Sequence, residues 1–369
     1  MKERVRKVFH GLEAPADVLL LANSTEPHLD QAFFYLFDVP SGLFEGSVAV
    51  AFPDGRLTVF SSPLEEESAR QAAKKDPSVT VEVPKNREER DRLLNRLVPA
   101  GAKVALDYRE LTHEWYLTLT ATLPNSSWVD ASQALRAARM VKDAEEIERL
   151  RKAAQIASRA GTEIPSILKT GMTELELAGE LEYRMVRYGA SGRSFATISA
   201  FDVMGAEPHY APQERRLRPG SSIVCDFGAL YKRYASDITR SFRFGPRDAE
   251  LKKVHETVLA AQEAALAVIR PGVKAKEPHL AAEAVVDASP WKGRFTHGLG
   301  HSIGLAVHDG FSMSRLAEEP LQEGMAITVE PGIYLPGRGG VRIEDDIVVT
   351  KKGYEFLTTA PREYIEVPS

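Results

Sequence analysis

Two short runs decide the reading of this chain: Ile223-Val224-Cys225-Asp226-Phe227-Gly228 and Ala235-Ser236-Asp237-Ile238-Thr239. Each sets one aspartate in an otherwise apolar, strand-forming stretch. Tyr231 to Arg233 lie between them and supply a turn, so the pair predicts a β-hairpin that brings Asp226 and Asp237 to one site. A carboxylate in such a stretch is costly to bury unpaired. Taken singly, either aspartate reads as well as a hydrogen-bonded structural residue. Cys225 adjoins Asp226, points to the opposite face and reads as core.

Working outward, the next polar concentration is Thr296-His297-Gly298-Leu299-Gly300-His301-Ser302-Ile303-Gly304-Leu305-Ala306-Val307-His308-Asp309. Three of the chain's nine histidines fall in this stretch. Neutral imidazole is a metal ligand and a general acid or base near neutral pH, and the glycines allow close backbone approach. Two more carboxylates close apolar strand-like runs: Glu330 after Ile327-Thr328-Val329, and Glu344 after Val341-Arg342-Ile343. Period-2 geometry sets Arg342 and Glu344 on one face. Four carboxylates and one imidazole at strand ends and glycine-rich turns are too many anionic ligands for one cation. They suit two divalent cations about 3.5–4 Å apart. Oxygen-rich ligation with one imidazole favours Mn, Co, Fe or Zn over a thiolate site.

The remaining chain frames this site. Before residue 130, strand-like runs (Val18–Asn23, Ser47–Phe52, Arg56–Ser61, Val79–Val83, Lys103–Asp107) alternate with helix-like ones (Leu29–Phe37, Leu64–Lys75, Arg87–Leu97, Leu111–Leu123), which predicts an α/β domain. Pro53-Asp54-Gly55 reads as a hairpin turn. After it, capping-box patterns at Asp143/Glu146 and Thr173/Glu176 start two helices. Further helices are expected over Asp248–Val268 and Glu277–Asp287. Strands are expected over Ser194–Ala200, Ala235–Phe242, Ala326–Glu330 and Val341–Thr350. We therefore expect two domains, 1–135 and 136–369, the second α+β with helices around a largely antiparallel sheet.

Composition agrees with a folded globular protein and excludes other classes. Of 369 residues, 43% are hydrophobic and 27% charged, and the net charge is −5, unsuited to nucleic acid or an anionic membrane. The longest early apolar run, Val18 to Ala22, is shorter than the roughly 7–15 residues of a signal peptide or the about 20 of a membrane span. The single cysteine forms no internal disulfide. The expected location is the cytoplasm.

The order and spacing of Asp226, Asp237, His301, Glu330 and Glu344 resemble the metallopeptidase family with the pita-bread fold, which holds methionine aminopeptidase, aminopeptidase P and prolidase. The flanking Ser-Asp-Ile-Thr-Arg, Gly-His-x-Ile-Gly-Leu-x-x-His and Glu-Pro-Gly-Ile-Tyr contexts resemble its proline-specific branch. The detailed similarity spans 141–369. The first ~130 residues resemble, more loosely, the creatinase-like N-terminal domain of that branch.

The resemblance implies roles residue by residue. Asp226 would chelate one metal, His301 and Glu330 the other, and Asp237 and Glu344 both. Glu330 would also move the proton of the attacking water. His308 matches a histidine that donates to the scissile carbonyl, His209 one that contacts substrate, and His297 another in the substrate pocket. Tyr334 matches a tyrosine near the metals, and Arg342 an arginine that anchors the site beside Glu344. The implied cofactor is a pair of divalent ions, Mn first, with Co, Zn or Fe as alternatives. The implied substrate is a proline-containing peptide, and the implied assembly a homodimer. Ser302, Asp309 and Tyr210 depart from the family's frequent glycine, glutamate and second histidine, and none is an implied ligand.

Two activities stay open within that branch. An Xaa-Pro dipeptidase (prolidase), which we favour, needs a cation for the proline carboxylate, with Arg338, Arg342 and Arg362 as candidates. An aminopeptidase P leaves that end open. The separate N-terminal domain argues against methionine aminopeptidase, and the intact ligand set argues against metal-free creatinase. A pseudo-peptidase that serves as a binding module would be expected to show degenerate ligands, and here all five are present.

Overall fold

A computed structural model describes all residues, Met1–Ser369. The chain divides into two compact units, Met1–Arg139 and Met140–Ser369. No helix is long and apolar enough to cross a membrane.

The first unit is built on a six-stranded mixed sheet. In spatial order its strands are Val79–Glu82, Leu57–Phe60, Val48–Ala51, Val18–Ala22, Lys103–Leu106 and Ser127–Asp130. The two pairings that join Val18–Ala22, Val48–Ala51 and Leu57–Phe60 are antiparallel, and the other three are parallel. Gly55, at φ +94°, closes the expected Pro53-Asp54-Gly55 turn, a conformation that glycine adopts without strain. The central strand Val18–Ala22 is buried along its whole length, as parallel pairing with flanking helices demands. Three elements escaped the sequence pattern: the helices Lys2–His10 and Ser132–Met140 and the edge strand Ser127–Asp130. The strand is short and none of its residues is buried, so no apolar alternation marks it.

The second unit sets long helices against antiparallel strands. Ala144–Ile167 and Glu174–Arg187 both begin with the expected capping boxes. Leu150, Ala154, Ala157 and Ala160 on the first helix are buried. Gly161 lets that helix approach closely, because a Cβ there would lie 3.0 Å from the ring of Phe227, beside Asp226. Ile156, Ile164 and Leu177 join Phe227 and Ile238 in one apolar cluster. Each such aliphatic side chain contributes roughly 1.5–3 kcal/mol when fully buried. Ala249–Val268 and Lys276–Asp287 pack on a second cluster that includes Ile327, Val329, Ile343 and Ile347. Both cores thus end directly beneath the residues singled out by the sequence.

Three expected strands are broken, and the breaks carry the chemistry. Ser221–Phe227 pairs antiparallel with Ile238–Phe244, and beyond Gly228 the ribbon continues as Ala229–Tyr231 with Tyr234–Ala235. Lys232 and Arg233 turn it at positive φ. The expected strand Ala235–Phe242 is therefore interrupted at Ser236-Asp237. The expected strand Val341–Thr350 is also two strands: Gly339–Arg342 pairs with Gly332–Leu335, and Asp345–Thr350 pairs with Ala326–Val329. The chain changes partners at Ile343-Glu344, yet the side chains of Arg342 and Glu344 still face one place, where both bond the Thr239 hydroxyl. The expected strand Ser194–Ala200 is realised as Gly192–Arg193 and Ile198–Phe201.

Candidate active site

The five candidate ligands selected from the sequence meet in one cleft of about 700 Å³. Asp226 comes from the end of Ser221–Phe227, Asp237 from the interruption opposite, and His301 from the short strand Gly300–His301. Glu330 follows Ala326–Val329, and Glu344 sits where the chain changes sheets. Two glycines make the convergence possible. A Cβ on Gly228 would lie 1.8 Å from the Ser236 carbonyl oxygen, and one on Gly300 would lie 2.1 Å from that of Thr328.

The ligand atoms of Asp237, His301 and Glu344 lie within 4.8 Å of one another, and all three residues are buried. His301 Nε2 is 3.6 Å from Asp237 Oδ2 and 3.5 Å from Glu330 Oε1. Its Nδ1 faces the Ser302 carbonyl at 3.4 Å, which assigns the proton to Nδ1 and leaves the Nε2 lone pair facing the carboxylates. Burial, with His308 stacked edge-on at 4.2 Å, pulls His301 down to about 4 and keeps it neutral.

The carboxylates repel one another. Burial, then Glu344 and Asp226, raise Asp237 well above the usual carboxylate range. Burial, with Glu330 and Asp226, does the same to Glu344. Burial pushes Glu330 up to about 8 against the pull of Arg342. Asp226 Oδ1 and Asp237 Oδ1 are buried with no hydrogen-bond partner. Unpartnered anionic oxygens converging on a neutral imidazole are the donor set a divalent cation satisfies, and its charge reverses the repulsion that lifts these groups.

A polar network holds the set in place. The Thr239 hydroxyl donates to Glu344 Oε2 at 2.6 Å and accepts from Arg342 Nε at 3.0 Å. The Thr328 hydroxyl donates to Glu330 Oε1 at 3.3 Å and accepts the His301 backbone N–H. Asp346 Oδ2 accepts the backbone N–H of Asp237. The sequence reading passed over these three residues, each of which stands two positions from a candidate ligand along the chain.

Arg342 is buried, and its other nitrogens donate to Asp226 Oδ2 at 2.6 Å and to the Tyr334 hydroxyl at 2.9 Å. Tyr334 also bonds His297 Nε2 at 2.8 Å, while His297 Nδ1 bonds the Gly298 carbonyl. His297 therefore carries its proton on Nδ1 and accepts from tyrosine. Burial, reinforced by Arg342, pulls it down to about 4. The polar atoms of His297, Tyr334 and Arg342 are thus engaged with one another and with Asp226. His209 and His308 are exposed side chains on the cleft wall. Of the other candidate arginines, Arg338 pairs with Glu250 and Arg362 bonds Gln262.

Comparison with known proteins identifies the family. Residues 148–351 match metallopeptidase family M24, and residues 12–141 match the creatinase/prolidase N-terminal domain. An Xaa-Pro dipeptidase of Pyrococcus horikoshii is 34% identical over 366 residues, covering 99% of each chain. The crystal structure of an X-Pro aminopeptidase from Thermotoga maritima superposes with a TM-score of 0.88 at 32% identity, covering 95% of this chain and 98% of that one. An Xaa-Pro dipeptidase from Bacillus anthracis gives the same score and identity over 99% and 98%. The chain accordingly belongs to metallopeptidase family M24, with a creatinase/prolidase N-terminal domain ahead of a pita-bread catalytic domain.

Proposed function

We propose that this protein hydrolyses the peptide bond preceding proline, as an Xaa-Pro dipeptidase. The observation that carries the reading is the convergence of Asp226, Asp237, His301, Glu330 and Glu344 on one cleft with unpartnered oxygens directed into it. Two divalent ions per chain, manganese before cobalt, zinc or iron, would supply Lewis acidity and bring the pKa of water from 15.7 to about 7. Asp226 would hold one ion, His301 and Glu330 the other, and Asp237 and Glu344 both.

The chain's own groups do the rest. A Glu330 carboxylate oxygen takes the proton of the attacking water and passes it toward the leaving imino nitrogen. His308 donates from its ring to the oxygen of the scissile carbonyl as negative charge develops there. His209, on the wall of the same cleft, contacts the bound peptide. Arg342, with Tyr334 and His297 behind it, keeps Asp226 in its rotamer. A proline imide has no N–H and a fixed φ, so a dedicated pocket is required to read it.

The alternative activity, release of the first residue from longer peptides, draws on a specific observation. Arg342 is the guanidinium on the cleft wall, and it is committed to Asp226, Thr239 and Tyr334, while Arg338 and Arg362 are paired elsewhere. Arg338 and Arg362 do not line the cleft, so none of the three is placed to clamp a proline carboxylate there. The deciding experiment is turnover of a matched Xaa-Pro dipeptide and Xaa-Pro-Xaa tripeptide by manganese-loaded protein. Cleavage of the dipeptide alone supports the dipeptidase, and cleavage of the tripeptide supports the aminopeptidase. Cleavage of neither, with metal bound, overturns the proposal in favour of a binding module.

We assign the enzyme to the cytoplasm as a homodimer. The buried, unpaired Cys225 suits a reducing compartment. The dimer rests on the family resemblance, and monomeric light scattering at assay concentration with full activity would overturn it.

A further inference from the structure

We propose that Glu174 and Tyr210 form a buried latch that positions His209 on the cleft wall, so that Tyr210 acts on substrate binding through its neighbour. This rests on the reading of the cleft as a peptide-hydrolysing site. Tyr210 stands where the family often has a second histidine, and the structure gives it a different task. Its hydroxyl donates to Glu174 Oε2 at 2.8 Å. Glu174 is 0% exposed, and its carboxylate also accepts the backbone N–H groups of Phe201 at 2.8 Å and Gln213 at 3.0 Å. One carboxylate therefore ties together both ends of the segment that carries His209.

The tie is reciprocal. Glu174 opens the helix Glu174–Arg187, and the backbone N–H groups of Glu174 and Leu175 donate to the carbonyls of Arg215 and Gln213. At the other end of the segment, Asp202 sits at φ +55° and accepts from Ser221 Oγ and the Ser222 N–H. The Tyr210 ring packs with Ala200 and Val224, and Val224 is two residues before Asp226. His209 itself is exposed and borders the cleft with Pro208 and Glu207. An exposed imidazole next to a buried tyrosine that is tied to a fully buried carboxylate is pre-organised, and pre-organisation lowers the cost of binding. Removing the hydroxyl takes one of the donors from a side chain buried away from water, which has a measurable effect.

The test compares the full chain with Y210F, H209A and the double variant. Hydrogen–deuterium exchange across residues 202–215 is expected to rise at least tenfold in Y210F, with 221–244 and bound manganese unchanged. With an Xaa-Pro substrate, KM is expected to rise about tenfold in Y210F while kcat stays within about threefold. In the H209A background, Y210F is expected to add no further loss, because the path through His209 is already gone. Unchanged exchange in Y210F overturns the latch. So do losses that multiply in the double variant, which would mark a general structural role. If the unaltered chain cleaves no Xaa-Pro substrate, the proposed function fails separately, and the exchange comparison still decides the latch.

Discussion

Asp346 accepts the backbone N–H of Asp237 at 2.9 Å, so one buried carboxylate holds the chain from which another projects. Asp346 is 1% exposed, and burial raises it well above the usual carboxylate range despite that bond. Replacing it with alanine strands the Asp237 N–H in the interior, at a cost of about 1–3 kcal/mol. Asp346→Ala is therefore expected to lower the melting temperature and weaken manganese affinity about 10–100-fold, the usual scale for a group that orients a metal ligand. Calorimetric metal titration checks this, and unaltered affinity would show that Asp346 serves the fold alone.

Asp237 and His308 separate ligation from chemistry. Asp237 lies among His301 and Glu344 with an unpartnered Oδ1, whereas His308 is an exposed ring stacked on His301. Asp237→Ala is expected to abolish turnover and weaken both metals. His308→Ala is expected to retain both metals and lose about 10²–10³ in kcat, the scale of one lost oxyanion donor. Metal content by mass spectrometry beside kcat distinguishes them, and metal loss in His308→Ala would overturn its assignment to the carbonyl.

The site was legible where chemistry contrasts with context. Asp226, Asp237, Glu330 and Glu344 stand out because carboxylates are rare in apolar, strand-forming runs, and His301 because glycines surround it. The capping boxes at Asp143 and Thr173 were equally plain, since each rests on residues three apart. What the pattern did not show is where strands break. Asp237 and Glu344 lie in interruptions set by partner exchange between sheets, which local alternation does not encode. Thr239, Thr328 and Asp346 were missed because a threonine or a second aspartate near a strand is unremarkable until its partner is located. The commitment of Arg342 to Asp226, Thr239 and Tyr334 depends on three separate segments meeting, and no local window contains them.

Gly228 is where Asp226 and Asp237 gain their mutual approach. A Cβ at this position would lie 1.8 Å from the Ser236 carbonyl oxygen and 2.2 Å from Ser194 Oγ. The first of these is backbone and cannot rotate away. Gly228→Ala is expected to destabilise the second unit by about 3 kcal/mol, the upper range for overpacking, and to reduce manganese affinity by spreading the two aspartates. Denaturant unfolding of metal-free protein together with metal titration tests both effects. A variant with native stability and affinity would mean that the ribbon tolerates a wider separation at this point.

Buried histidines give the stability of the protein an acid limb whose sign follows from linkage. His255 is 2% exposed, and burial, with Arg240 nearby, pulls it down to about 4. In the unfolded chain its pKa returns to about 6.5. Between these values the unfolded chain binds the proton and the folded chain does not, so stability is full above about pH 6.5 and falls as the pH drops toward 4. His255 alone accounts for about 2 kcal/mol between pH 6.5 and 5, since each unit is worth about 1.4 kcal/mol. His297 and His301, also pulled down to about 4, act in the same direction. His255→Phe preserves an aromatic ring beside Tyr364, whose ring centre lies 5.4 Å away, and removes the titration. Denaturant unfolding of metal-free protein at pH 7, 6 and 5 is therefore expected to show a smaller acid-driven loss in the variant than in the unaltered chain; the raised carboxylates of Asp237, Glu330, Glu344 and Asp346, which bind protons more tightly in the fold, act with the opposite sign in both chains and cancel in the comparison. Identical slopes would mean that His255 is protonated in the fold, or that its segment opens before the unit unfolds.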